Sequence, residues 1–88
     1  MPIKNNTAKY RRRDEIIRSI LDSTIGEGTT KTRIMYSSFL SYPQLIEYLD
    51  YLTGHSLIEL DNSTKIYKIT PKGLKLLNIC NEIEEMVK

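Results

Sequence analysis

The 88-residue chain contains one cysteine and one histidine. A single cysteine cannot close an internal disulfide, which fits a reducing, intracellular setting. One Cys and one His also cannot supply the four ligands of a cysteine-based zinc site. No apolar run approaches the ~20 residues needed to cross a bilayer, and the opening residues lack the apolar core of a signal peptide. There is no phosphate-cradling glycine loop, and a lone Cys and lone His make no nucleophile–base pair. These absences predict a cytoplasmic protein that is not an enzyme, with no cofactor, no metal, no small-molecule ligand and no membrane partner.

Cations are missing from one long stretch. Residues 34–64 hold no Lys or Arg, while Glu47, Asp50, Glu59 and Asp61 give that segment a charge of −4. Residues 1–33 carry eight basic and four acidic side chains, and residues 65–88 carry five lysines against three glutamates. The net charge is only +2. A phosphate-binding surface would therefore have to be assembled from the two ends of the chain. The plain alternative is solvated helix surface.

What is present reads as one small domain. Ile16, Ile17, Ile20 and Leu21 form one stripe of a helix from about Lys9 to Thr24. Gly26-Glu27-Gly28 breaks it. Thr30 suits the N-cap of a short second helix, Lys31 to about Ser38, burying Ile34 and Met35. A tight connection at Phe39-Leu40-Ser41 leads into a third helix, where Ser41 and Gln44 form a capping box and Pro43 occupies the first turn. Leu45, Leu49 and Leu52, with Tyr42 and Tyr48 at the edges, mark its buried face, and Gly54 its end. Leu57–Leu60 and Ile66–Ile69 read as strands of a hairpin around the turn-rich segment Asp61–Lys65. Thr70-Pro71 starts a last helix reaching about Val87. The expected class is mainly α with a small β-hairpin. It is a winged helix-turn-helix with a three-helix core, a two-stranded wing and a C-terminal helix. Residues 1–10 would be a flexible basic tail, 11–75 the domain, and 76–88 the end of the last helix, a dimerisation segment.

Three stretches then carry a resemblance: Thr32-Arg33-Ile34-Met35-Tyr36, Leu40-Ser41-Tyr42, and Tyr67-Lys68-Ile69-Thr70-Pro71-Lys72-Gly73-Leu74. Together they resemble small archaeal winged-helix proteins. Among these are the abundant ten-kilodalton DNA-binding, chromatin-associated proteins of thermoacidophilic archaea and related predicted transcriptional regulators. The similarity spans roughly residues 12–78. It implies sequence-tolerant or regulatory binding of double-stranded DNA, nucleoid association, and a homodimer joined through the last helix as a coiled coil. The chain departs from that pattern in two ways. Better-known members have a longer C-terminal helix, and Ser56 stands before Leu57 where many winged helices place Gly, so that Gly54 takes over the turn.

Candidate DNA contacts follow from charge and position. Arg11, Arg12 and Arg13 open the first helix, with Lys4 and Lys9 on the tail, and can clamp phosphates or merely solubilise the start. Lys31 and Arg33 begin the second helix, where the dipole also favours phosphate. Lys65 and Lys68 lie on the wing, where they can track the backbone or protect a strand edge. Lys72 and Lys75 can extend the patch or solvate the last helix. The outer face of the third helix carries Pro43, Gln44, Glu47, Asp50 and Tyr51, with Ser41 at its start. Gln44 can read adenine and Glu47 can accept from a cytosine amino group. Two carboxylates and no cation, however, make this face costly beside phosphates. Tyr36 and Tyr51 can offer hydroxyls to phosphate, or pack half-buried with wet tips.

In the last helix, Leu74 and Leu77 are expected in the core. Leu76, Ile79, Ile83 and Met86 follow the spacing of a coiled-coil seam, to pair with a second copy or pack on their own domain. Cys80 reads as a small core filler rather than a redox switch, and His55 as a capping or surface residue. The competing function is a winged-helix protein-interaction module whose acidic third helix meets a basic partner.

Overall fold

The computed structural model describes residues 12–86. Helix α1 spans Arg13–Ser23, α2 Lys31–Ser37 and α3 Tyr42–Gly54; strands β1 (Ile58–Asp61) and β2 (Ile66–Ile69) and helix α4 (Pro71–Met86) follow. This is the expected order. The expected tail, the stretch from Lys9 to Arg11 and Val87 lie outside the described residues.

Helices α2, α3 and α4 each begin on a side chain that satisfies an amide the helix leaves open. Thr30 Oγ1 accepts from the Arg33 N–H at 3.3 Å. Ser41 Oγ accepts from the Gln44 N–H at 3.4 Å, and Gln44 Oε1 accepts from the Ser41 N–H at 3.0 Å, completing the capping box. Buried Thr70 Oγ1 accepts from the Gly73 N–H at 3.0 Å and donates to the Ser56 carbonyl at 2.6 Å. One threonine thus starts α4 and ties it to the end of α3.

Helices α2 and α3 both end in Schellman turns. At the first, the Phe39 N–H reaches the Tyr36 carbonyl at 3.3 Å and the Leu40 N–H reaches the Met35 carbonyl at 3.0 Å. At the second, the Ser56 and Leu57 amides bond Thr53 and Leu52 at 3.0 and 2.9 Å. The left-handed residue of each turn is Phe39 (φ 56°) and Ser56 (φ 60°). Gly54 does not take over the second turn; it stays helical, and Ser56 bears the positive φ. Because the Leu57 amide is committed to this turn, β1 starts at Ile58 rather than Leu57.

The core is formed by Ile16, Ile20 and Leu21 of α1, Ile34 of α2, and Leu45, Tyr48, Leu49 and Leu52 of α3, closed by Leu57, Ile58 and Leu77. The hairpin is antiparallel, with Ile58 opposite Ile69 and Asp61 opposite Ile66. It is fixed along β2. Thr29 and Tyr67 exchange two backbone hydrogen bonds at 2.9 and 2.8 Å, and the Ile69 N–H donates to the Thr24 carbonyl at 2.9 Å. Gly28 makes this possible, since a Cβ there would collide with the Tyr67 carbonyl oxygen.

Two expectations about burial change. In α4 the inner line runs Gly73, Leu77 and Cys80, so Leu74 is exposed rather than in the core. Leu76 is half-buried and packs against its own domain. Tyr42, expected at the edge of a buried face, is 52% exposed, its hydroxyl accepting from Lys31 Nζ at 3.4 Å at the start of α2. Tyr48 is buried, as expected.

Candidate functional site

The start of α2 and the wing face one another. Thr30, Lys31 and Thr32 line one wall of a groove whose other wall is Leu60, Lys65 and Tyr67. Lys31 and Lys65, distant in sequence, are thereby brought together. The wing tip that carries Lys65 is shaped by Asp61. Its Oδ1 accepts from the Ser63 hydroxyl at 2.8 Å and from the Ser63 and Thr64 amides at 2.9 and 3.4 Å. These bonds, the Ser63 hydroxyl first, hold the Asp61 carboxyl below its usual range. Lys65 closes the loop with φ 61°, its N–H donating to the Asp61 carbonyl at 2.7 Å.

A second cleft, on the other side of α2, is lined by Ser23, Gly28, Thr29, Arg33, Tyr36 and Ser37. The stem of Lys68 lies against Gly28, so this cation borders the cleft that holds Arg33. Lys68 also stands opposite Glu59 in the hairpin register.

The remaining expected contacts are dispersed. Arg11 is outside the described residues. Arg12 pairs with Asp14 at 3.3 Å, both well exposed. The Arg13 guanidinium carbon lies 5.3 Å from the Tyr48 ring centroid and 5.6 Å from that of Tyr51. Tyr51 in turn packs against His55 at 4.5 Å between ring centres. This cationic contact on the flank of α3 was not evident from the sequence, because no local pattern brings the start of the first helix to the third.

On the outer face of α3, Pro43, Gln44, Glu47, Asp50 and Tyr51 are all exposed. Ser41 and the Gln44 carbonyl oxygen are both occupied by the capping box. A two-point contact from Gln44 to adenine would need that oxygen, and would therefore open the cap. Lys72 is similarly occupied: its Nζ donates to the His55 carbonyl at 3.0 Å, capping the end of α3. Tyr36 is 69% exposed, so the packing alternative fails for it.

Helix α4 leaves the domain along α1. Arg18 bonds both Glu84 carboxylate oxygens, at 2.8 and 3.2 Å, and Asn81 Oδ1 at 3.3 Å. On α4, Ile79, Ile83 and Met86 are exposed, leaving three of the four expected seam residues uncovered by their own domain. Among the described residues no group of three or more His, Cys, Asp or Glu could hold a metal ion. No helix among them is long and apolar enough to cross a membrane.

These features match known proteins in two comparisons. The crystal structure of Sso10a-2, a DNA-binding protein from Sulfolobus solfataricus, superposes with a TM-score of 0.63 at 34% identity. The match covers 88% of this chain and 79% of that one. No curated protein sequence matches. The family model of the winged helix-turn-helix matches residues 10–88, nearly the whole chain. The chain belongs to the winged helix-turn-helix family.

Proposed function

We propose that the chain binds double-stranded DNA through the cationic rim of the groove between α2 and the wing. What carries this reading is the pairing of Lys31 with Lys65 across that groove. Arg33 and Lys68 extend the cationic rim around α2, and Arg12 and Arg13 add charge at the start of α1. Lysines on opposite walls suit a phosphate backbone and carry no sequence information. The acidic outer face of α3, with Gln44 committed to its cap, makes base reading by that helix a minor part of the affinity. The role is accordingly that of a sequence-tolerant, nucleoid-associated protein rather than a regulator of one site. The similarity to an archaeal DNA-binding protein supports the partner. A homodimer joined by Ile79, Ile83 and Met86, with Leu76 at its inner edge, would set two such grooves on one particle.

The test is a titration of random-sequence duplex at several salt concentrations. Binding should weaken steeply with salt, and changing both Lys31 and Lys65 to Ala should lower the slope by about 2, one per lost phosphate contact. Replacing Arg11, Arg12 and Arg13 with Ala should lower it further. Absence of binding at ~50 mM salt would reject the reading. It would favour the other one, in which exposed Glu47 and Asp50 meet a basic protein partner.

A further inference from the structure

The turn between α2 and α3 carries an aromatic ring that the core leaves in solvent. Phe39 is the chain's one phenylalanine, and it is 83% exposed. It occupies the left-handed position of a Schellman turn, which glycine fills most cheaply because any Cβ crowds the following carbonyl. The neighbouring Leu40 is buried and supplies the turn's anchor. Phe39 therefore combines backbone strain with exposed apolar area, and neither is offset by packing. Strained positions of this kind gather where a protein makes contact with something else.

The surroundings narrow what that contact is. Tyr36 precedes Phe39 by one turn and is 69% exposed; Tyr42 follows it and is 52% exposed. Cations are interleaved with these rings. Lys31 Nζ lies 5.5 Å from the Tyr42 ring centroid and 3.4 Å from its hydroxyl, and Arg33 shares a cleft with Tyr36. From Gly28 to Ile46 there is no carboxylate side chain. Exposed π-faces among cations, with no anion beside them, match a ligand that carries flat rings on a polyanionic backbone. In a duplex the faces of the bases are hidden within the stack. Unpaired bases expose them. The polar side chains between the rings, Ser37 and Ser41, give no continuous aliphatic surface of the kind a protein partner would bury.

We propose that Tyr36, Phe39 and Tyr42, with Lys31 and Arg33, form a stacking site for unpaired nucleobases of single-stranded DNA or RNA. Lys31 and Arg33 are shared with the proposed duplex contact, whereas the three rings are not, so a change confined to Phe39 tests stacking apart from duplex binding.

The test uses the full chain and fluorescently labelled oligo(dT), oligo(U), an abasic oligodeoxynucleotide of equal length, and a duplex. Phe39→Gly is the informative variant, because glycine suits the turn and leaves the fold intact; circular dichroism checks this. It should weaken oligo(dT) or oligo(U) binding about tenfold, the loss of one base stack. Abasic and duplex affinities should stay within about twofold. A loss on both single strands assigns the base alone; a loss on one assigns that nucleic acid. Unchanged affinity for both single strands, an abasic strand bound as tightly as a base-bearing one, or an equal loss on duplex would each overturn the proposal. Failure of the wild type to bind duplex would bear only on the groove.

Discussion

Gly73, in the first turn of α4, lies so close to the carbonyl of Leu57 that the space for a Cβ is already filled by that oxygen and by Ile69 Cγ1. The contact seats the last helix on the connection between α3 and the wing. Thr70 reinforces it, because its N–H and its hydroxyl both reach the Leu57 carbonyl at 3.1 Å.

Gly73→Ala should therefore be costly, although alanine is the better helix former. The backbone cannot yield without breaking the Thr70 bonds, and overpacking of this kind costs about 1–3 kcal/mol. Urea denaturation would measure it. A stability equal to or above that of the wild type would mean that α4 is not held at this point.

Ser56 predicts the opposite sign. It carries a positive φ that glycine would adopt without strain, so Ser56→Gly should raise stability by about 0.5–1 kcal/mol. Gly54 is helical with open space around it, and Gly54→Ala should add about 0.5–1 kcal/mol. Thermal melts of the two single variants and the pair would decide. If Gly54→Ala destabilises instead, the turn is made by Gly54 and the assignment to Ser56 is wrong.

The wing tip should respond to acid. The Asp61 carboxyl is held below its ordinary value of 3.8 by bonds from Ser63 and Thr64. A lowered folded-state pKa means that the ionised form stabilises the wing above the ordinary value. That contribution fades as the pH falls through the folded-state value. Amide chemical shifts of Ser63 and Thr64 should titrate together, with a midpoint below 3.8. A midpoint at or above that value would show that the bonds do not form in solution.

The proposed homodimer would be joined through the exposed ridge of α4. Changing Ile79 and Ile83 to Ser should lower the sedimenting mass from dimer to monomer while leaving the domain folded, since both side chains lie outside the core. An unchanged mass would remove the ridge from the interface.

Much of the architecture was legible because its signals are local. The Ser41–Gln44 capping box, the Thr30 cap and the Thr70-Pro71 start each lie within one helical turn, and each is found where expected. The phase of α4 was not. Its inner line includes Gly73, which has no side chain to contribute to a hydrophobic pattern, so the leucine spacing points to Leu74 as a core residue where the fold half-buries Leu76 instead. The candidate site was legible as a set of charges but not as a shape. Lys31 and Lys65 could be named individually, yet their opposition across a groove depends on the Thr29–Tyr67 pairing, which no sequence period announces. Lys72, expected to extend the basic patch or to solvate the last helix, escaped for the same reason, its partner being the His55 carbonyl at the end of another helix.

The attachment of the hairpin to Thr24 and Thr29 has a consequence for association. A wing hinged only at its two ends would have to give up backbone freedom whenever it met a surface. Here the strands are already pinned to the connection between α1 and α2, so docking freezes little more than lysine rotamers. If the wing grips DNA as proposed, the clamp would arrive preshaped, and its grip would be governed by how readily ions leave the surface it meets rather than by how much chain it must order.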